Sequence, residues 1–127
     1  MAHRTAAATT AAEHVDAPLD LATMRDAAWR LLSESAPPDP DALQTLTLQI
    51  RGHIQLLLPE VEAAADRLPA DDIPRYCALA CLGEARRKLR LEAGPGLSSQ
   101  LAHARRLARV LNVLVDHHEG LGVRPDS

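Results

Sequence analysis

A stripe of apolar side chains between residues 43 and 68 constrains this sequence more than any other feature. Its members recur at alternating intervals of three and four residues, a spacing that places side chains along one side of an α-helix. The intervals predict a long helix over residues 41–68 whose apolar side packs against other helices. The stripe consists of Leu43, Leu46, Ile50, Ile54, Leu57, Val61, Ala65 and Leu68.

Pro59 lies within this predicted helix and has no N–H to donate to the carbonyl of Gln55. The proline therefore predicts either a kink in one helix or a break between two. Because the stripe continues in phase at Val61, the sequence favours the kink.

Capping residues, prolines and glycines delimit three further helices. They are predicted over residues 21–34, 73–92 and 99–118. The predicted N-caps of the four helices are Asp20, Asp39, Asp71 or Asp72, and Ser98. No segment alternates apolar and polar residues as a half-buried strand does, so the protein is predicted to be all-α.

Short connections between consecutive helices favour antiparallel neighbours. The sequence therefore predicts an antiparallel up-down four-helix bundle with a short first helix and a kinked second helix. A three-helix hairpin stack crossed by the first helix, or a swapped dimer, is the alternative. A chain of 127 residues fits one domain. We expect the bundle over residues 19–120, a flexible Ala/Thr-rich arm over 1–18 and a short tail over 121–127.

Composition and charge exclude several classes of partner. Aromatic residues make up 2% of the chain, which leaves almost no platform for stacking bases, and the net charge is −3. Nucleic acid is therefore not an expected partner. No stretch is long and apolar enough to predict a membrane span or a secretory signal, so a cytoplasmic protein is expected. Cys77 and Cys81 lie one helical turn apart and predict neither a disulfide nor a metal site.

Three stretches are apolar on almost every side of their helices, at residues 56–58, 76–82 and 110–115. A helix of this kind needs cover on every side, and one small chain leaves part of it in water. The sequence therefore predicts a homodimer or a dedicated protein partner. A well-filled core with scattered exposed leucines is the alternative. The predicted interface residues are Leu56, Leu58, Tyr76, Leu79, Leu82, Val110 and Val113.

Positive charge concentrates between Glu84 and Arg109, where seven basic side chains face two acidic ones and give a net charge of +5. If the third and fourth helices are antiparallel, these side chains meet at one end of the bundle. Arginine forks there suit an acidic protein or a small anionic metabolite. A solvated face of internal ion pairs is the alternative. The predicted ligand-binding residues are Arg51, His53, Arg86, Lys88, His103, Arg105 and Arg109.

His53 and Glu84 are the candidate catalytic residues, because histidine titrates near neutral pH and suits acid–base chemistry. The hairpin geometry predicts that they meet Lys88 and His103 at the basic end. A structural histidine beside the apolar stripe is the alternative for His53. The sequence contains no nucleophile elbow, phosphate loop or zinc motif, so we predict no metal and no cofactor, and a non-catalytic role is favoured.

Several short motifs together resemble a known protein family. They are Leu48-Gln49-Ile50-Arg51-Gly52-His53, Leu57-Leu58-Pro59-Glu60-Val61-Glu62, Gly83-Glu84-Ala85-Arg86, Gly94-Pro95-Gly96, Ala104-Arg105-Arg106-Leu107-Ala108-Arg109 and Asp116-His117-His118-Glu119. Over about residues 19–120 they resemble small actinobacterial proteins of unknown function that are labelled natural product biosynthesis proteins. The resemblance implies a setting in specialised metabolism and supplies no catalytic residues.

The sequence thus predicts a small, non-catalytic helical protein, an accessory to specialised-metabolite biosynthesis. It is expected to self-associate through an apolar face and to offer its basic end to an acidic partner. The alternative is a small tailoring enzyme or metabolite-binding protein whose polar cluster lies between helices. That cluster would consist of His53, Glu84, Arg86 and Arg105. A cleft with converging polar groups distinguishes the alternative from the first hypothesis.

Overall fold

A computed structural model describes residues 19–33 and 38–122 of the 127-residue chain. The predicted arm over residues 1–18, and the predicted tail beyond residue 122, lie outside the described residues. Within these described residues the chain forms four helices, α1 (Leu21–Leu32), α2 (Pro40–Asp66), α3 (Ile73–Arg90) and α4 (Leu97–Gly122). No strand occurs in the described ranges, and the predictions of an all-α fold and of four helices are confirmed.

Aspartate side chains cap the first three helices, as the sequence predicts. Each carboxylate accepts a hydrogen bond from the backbone N–H three residues along, which satisfies a donor that the helix itself leaves unpaired. The caps are Asp20 for α1, Asp39 for α2 and Asp72 for α3. Pro40 and Pro74 lie in the first turns of α2 and α3, where their missing N–H groups cost little.

The two ends of α4 differ from the prediction. The helix begins at Leu97, and the Gly96 carbonyl accepts a hydrogen bond from the N–H of Gln100 at 3.1 Å. Gly96 has a φ of +91°, a conformation that glycine adopts without strain, so the chain turns into the helix at this residue. Ser98 therefore lies inside α4, and its assignment as the N-cap is wrong. The helix also continues through Gly120, its predicted end, to Gly122.

Helix α2 runs through Pro59 without interruption. The alternative of a break at this proline is therefore wrong. Leu57 and Val61, on either side of Pro59, are both fully buried. Their burial keeps the two parts of the helix against the same core and offsets the loss of one backbone hydrogen bond.

The core consists entirely of aliphatic side chains and methionine, and no polar or charged side chain is buried among the described residues. Helices α2 and α4 each contact all three other described helices, whereas α1 and α3 do not contact each other. Helix α3 supplies only Ala78, Leu82 and Ala85 to the core. The fully buried large side chains are Met24, Leu31, Leu43, Ile50, Ile54, Leu57, Leu82, Leu107, Leu111, Leu114, Val61 and Val115.

Burial within one chain corrects part of the predicted interface. Leu58 and Leu82 lie in the core, so neither is available to a partner. These two residues belong to stretches that are apolar on almost every side, and the sequence of such a stretch does not show which side faces the core. Leu79 and Val110 pack against the edge of the core, while Leu56, Tyr76 and Val113 are exposed.

Candidate functional site

His53 lies in an open groove between α1 and α2, with a volume of about 560 Å³. Helix α1 contributes the charged side chains Asp26 and Arg30 to this groove, and α2 contributes Gln49 beside His53. Thr23, Ala27, Gly52 and Leu56 complete the lining. Polar groups from two helices therefore converge on one concave surface, as they do in many small-molecule sites.

The structure does not bring His53 and Glu84 together. The Glu84 carboxylate pairs with Lys88 on its own helix, with 3.3 Å between Nζ and Oε2, and also with Arg87. Arg86 pairs with Glu62 of α2 at 3.0 Å. The predicted cluster of His53, Glu84, Arg86 and Arg105 is therefore not assembled, and neither is the predicted meeting of His53 with Lys88.

The two sides of α2 explain this separation. His53 lies on the side of α2 that meets α1, as the shared groove shows. Glu62 lies on the side that meets α3, where it accepts from Arg86. Arg51 also contacts α3, because its Nη2 donates to the carbonyl of Leu89 at 2.8 Å. The positions of the turns predict only the level of a residue along the helix axis, and they leave undetermined which side of the helix it lies on.

Two of the predicted ligand-binding residues do lie near each other. The positive charge of Arg51 acts on His103, whose pKa is lowered by burial first and then by Arg51 and Arg106. His103 also lines a second groove, of about 310 Å³, between the start of α2 and the start of α4. The other lining residues are Pro40, Asp41, Leu43, Gln44, Thr47, Leu48, Ala93 and Gln100. Lys88, which the sequence predicts beside His103, lines neither groove.

The remaining predicted ligand-binding residues have different surroundings. The Arg105 Nε donates to the carbonyl of Leu31 at 3.0 Å, so this arginine closes the C-terminal end of α1 against α4. Arg109 is exposed and forms no ion pair with another described residue. The basic segment is thus partly neutralised inside the fold, and only some of its charge is directed to solvent.

Partial burial lowers the pKa of His53, because imidazolium loses hydration in the groove, and the negative charge of Asp20 opposes the shift. The unfolded chain holds this histidine at its ordinary pKa of 6.5. Between that value and the lower pKa of the fold, the unfolded state binds more protons, so stability falls as the pH drops through this window. At neutral pH the imidazole of His53 is uncharged.

We expect the His53 imidazole signal to titrate with a midpoint below 6.5 in the folded protein and near 6.5 in urea, as measured by NMR. His53→Gln removes this proton-binding site, so the variant should lose less stability than the wild type between neutral and mildly acidic pH. His103 has a lowered pKa as well and remains in the variant, so part of the pH dependence should persist. Equal midpoints in the folded and unfolded protein would contradict the burial of His53.

The contribution of α1 to this site is not predicted from the sequence. Asp26, Arg30 and Gly52 line the groove with His53, and none of the three is among the predicted site residues. One signal was present in the sequence, because a glycine inside a helix costs about 1 kcal/mol relative to alanine and indicates a need for space. Nothing in the sequence distinguishes Asp26 and Arg30 from an ordinary pair of opposite charges on the surface of a helix.

Metal binding and membrane insertion find no support in the part of the chain that the structure describes. Within residues 19–33 and 38–122, no three His, Cys, Asp or Glu side chains cluster closely enough to hold a metal ion. None of the helices in these ranges combines the length and the apolar character that a bilayer crossing needs.

Comparison with known proteins places the chain in a protein family. Residues 22–123 match the sequence model of a family described as Family of unknown function (DUF6415). No curated protein and no solved structure matches the chain.

Proposed function

The chain belongs to DUF6415, a family of unknown function, and we propose that it is a non-catalytic helical interaction protein that forms a homodimer. The dimer forms through six exposed residues of α3, hereafter the α3 face. They are Ile73, Tyr76, Ala80, Gly83, Arg87 and Arg90. The motif resemblance supports an accessory role in specialised-metabolite biosynthesis, which is part of the proposal.

The spacing of the α3 face is the observation that carries the proposal. Its residues follow one another at intervals of three and four, the spacing of a helix–helix seam, yet all of them point away from the core of their own chain. Tyr76 and Ile73 are 74% and 73% exposed, the highest values among the large apolar side chains of the described residues. A helix face with this spacing that stays exposed in one chain is suited to pack against a helix of another chain.

A second copy of this chain complements the α3 face when the two helices run antiparallel. With a two-fold axis between Ala80 and Gly83, each of these small residues lies opposite the other in the second copy, so the helices can approach closely. An added Cβ at Gly83 meets no atom within 4 Å in a single chain, so this glycine is not needed for packing inside the monomer.

Charge favours the antiparallel pair over a parallel one. In the antiparallel register, Tyr76 lies opposite Arg87 of the second copy, an arrangement suited to a cation–π contact. Ile73 then lies opposite Arg90, whose aliphatic stem can cover it. In a parallel pair each arginine would lie opposite its own copy, and the like charges would repel.

The proposal includes the up-down order of the four helices. The guanidinium of Arg25, near the start of α1, contacts the carboxylates of Asp116 and Glu119 near the end of α4, each at 2.7 Å. Arg105, nearer the start of α4, contacts the end of α1. These two contacts support opposite directions for α1 and α4, and the antiparallel bundle is the simplest arrangement that contains them.

A docking surface for an acidic partner is the second part of the proposal. Arg106 and Arg109 are exposed, lie one turn apart on α4 and form no ion pair with any described residue. Guanidinium groups that have no internal partner are available to carboxylates of another protein. This pair replaces the wider basic end of the sequence analysis, because Arg86, Lys88 and Arg105 have partners within the chain.

We expect Ala80→Glu to convert the homodimer to a monomer, because it places a carboxylate at the centre of the helix pair with no room for its hydration. Sedimentation at micromolar concentration should give twice the chain mass of 13.7 kDa for the wild type and the chain mass for the variant. Ala102→Glu is the matched control, because it makes the same change at an exposed position of α4 and should leave the dimer intact.

Two results of this experiment would contradict the proposal. If the wild-type chain sediments only as a monomer, the proposal of self-association is wrong. If the dimer persists in the Ala80→Glu variant, the α3 face is not its interface. Disulfide formation checks the register, in chains whose own Cys77 and Cys81 are replaced by serine and alanine. Tyr76→Cys and Arg87→Cys chains should crosslink when mixed and not when kept apart, whereas a parallel pair would crosslink Tyr76→Cys to itself.

A further inference from the structure

The groove between α1 and α2 is a separate feature from the α3 face, and the interaction proposal does not use it. Helix α1 is held to α4 at both of its ends, by Arg25 and through the Leu31 carbonyl. Helix α1 also contacts α2, and the outer sides of the two helices line an open groove of about 560 Å³. A volume of this size accommodates a small metabolite.

Gly52 keeps part of this groove open. It is a lining residue in the middle of α2, and an added Cβ there would meet no atom within 4 Å. Close packing against another helix therefore does not explain the glycine. Because Gly52 lies in the wall of the groove, a larger side chain at this position would fill the groove without disturbing the core.

Asp26 and Arg30 give the groove two opposite charges one helical turn apart. Both side chains line it, both are exposed, and neither forms an ion pair or hydrogen bond with another described residue. Side chains four residues apart on a helix have Cβ atoms about 5–6 Å from each other. Each charge is therefore available to a separate group of a ligand.

The remaining lining residues define what else a ligand should carry. Ala27 and Leu56 provide an apolar part of the wall next to the charged pair. His53 adds no third charge at neutral pH, while Asp20 lies close enough to act on its imidazole. A purely anionic metabolite, the ligand that the sequence analysis assigned to His53, would meet two nearby carboxylates with only one guanidinium to offset them.

We propose that the α1–α2 groove binds a small zwitterion, an α-amino acid with an aliphatic side chain. Its ammonium group pairs with Asp26 and its carboxylate with Arg30, since each is the complementary charge. The aliphatic side chain lies against Leu56 and Ala27. Gln49 and the neutral His53 supply hydrogen-bonding groups on the opposite wall.

The test uses the full chain and L-leucine as the probe, followed by amide NMR. We expect saturable shifts of the Thr23, Gln49 and Gly52 signals with a Kd on the order of 1 mM, as suits a ligand of this size. Leucinamide lacks the carboxylate and 4-methylpentanoate lacks the ammonium group. Each should bind about tenfold more weakly, the equivalent of one lost charge-assisted contact.

Variants separate the groove from other causes. Gly52→Leu should abolish the shifts while the fold is kept, because the added side chain occupies the groove. Arg30→Gln and Asp26→Asn should each weaken leucine binding about tenfold. Arg67→Gln, which removes an exposed arginine at the C-terminal end of α2 outside the groove, should leave binding unchanged, and so should the monomeric Ala80→Glu chain.

Several outcomes would overturn the proposal. One is the absence of saturable shifts with leucine at concentrations well above 1 mM, the order of the expected Kd. Another is equal binding of 4-methylpentanoate and leucine, which would show that only the anion is recognised. A third is undiminished binding by Gly52→Leu, which would place the ligand outside the groove. None of these outcomes bears on self-association, which uses a different helix.

Discussion

Replacing Leu111 with alanine is expected to lower the free energy of unfolding by about 3 kcal/mol. Leu111 is fully buried in α4, which like α2 contacts all three other described helices, so its side chain is enclosed by several elements. The substitution removes apolar contacts and leaves a cavity that rigid neighbouring helices cannot close. Urea denaturation followed by circular dichroism measures the loss, with all chains at one concentration because self-association adds to stability.

Leu48→Ala is the matched control for this substitution. Leu48 lies on α2 and is 62% exposed, so the same chemical change should alter stability by less than about 0.5 kcal/mol. If the two variants unfold at the same urea concentration, the packing of α4 at the centre of the core is wrong.

The second large effect is expected from Ala85→Leu. Ala85 is fully buried, and with Ala78 it is one of two alanines among the three core residues of α3. Small side chains let α3 lie close to its neighbours, so a leucine at this point must push the helices apart. Overpacking of this kind costs about 2 kcal/mol. The urea midpoint should fall, without a change in helix content.

Ala102→Leu provides the comparison for Ala85→Leu. It adds the same atoms to an exposed position of α4, where leucine has space and is a good helix former. The midpoint of this variant should stay within the range of other surface substitutions. A stable Ala85→Leu chain would mean that α3 is loosely attached, which would contradict its close packing against α2 and α4.

The helices were predictable from sequence because their signals are local. An aspartate three residues before a free backbone N–H makes its hydrogen bond whatever the rest of the fold does, so Asp20, Asp39 and Asp72 begin the first three helices. The start of α4 was less predictable. Ser98 fits the same rule, but the left-handed Gly96 lets the helix begin at Leu97, two residues before the predicted start.

The candidate site was less predictable because it depends on how each helix is rotated about its axis. Heights along a bundle follow from turn positions, and they are the basis on which His53 is predicted to lie level with Lys88 and His103. The rotation of α2 follows from the packing of the whole core, and it turns His53 toward α1 and away from Glu84. The rotation of a helix about its axis depends on many weak packing contacts, so it cannot be predicted from a single sequence motif.

The same uncertainty explains the errors in the predicted interface. A stretch that is apolar on all sides does not reveal which side meets the core. In α3 the buried side carries Leu82, while Tyr76 is directed to solvent. The sequence therefore indicated correctly that α3 has apolar residues to spare, and it could not identify which of them remain outside.

The central position of α4 has a consequence for how the protein is made. A ribosome releases the chain from its N-terminal side, so α1, α2 and α3 emerge while α4 is still missing. Leu107, Leu111 and Leu114 then have yet to reach the space between the earlier helices. The nascent chain must wait in a partly open state, with apolar surface that chaperones can recognise, and it completes its tertiary structure only when its last described helix has been translated.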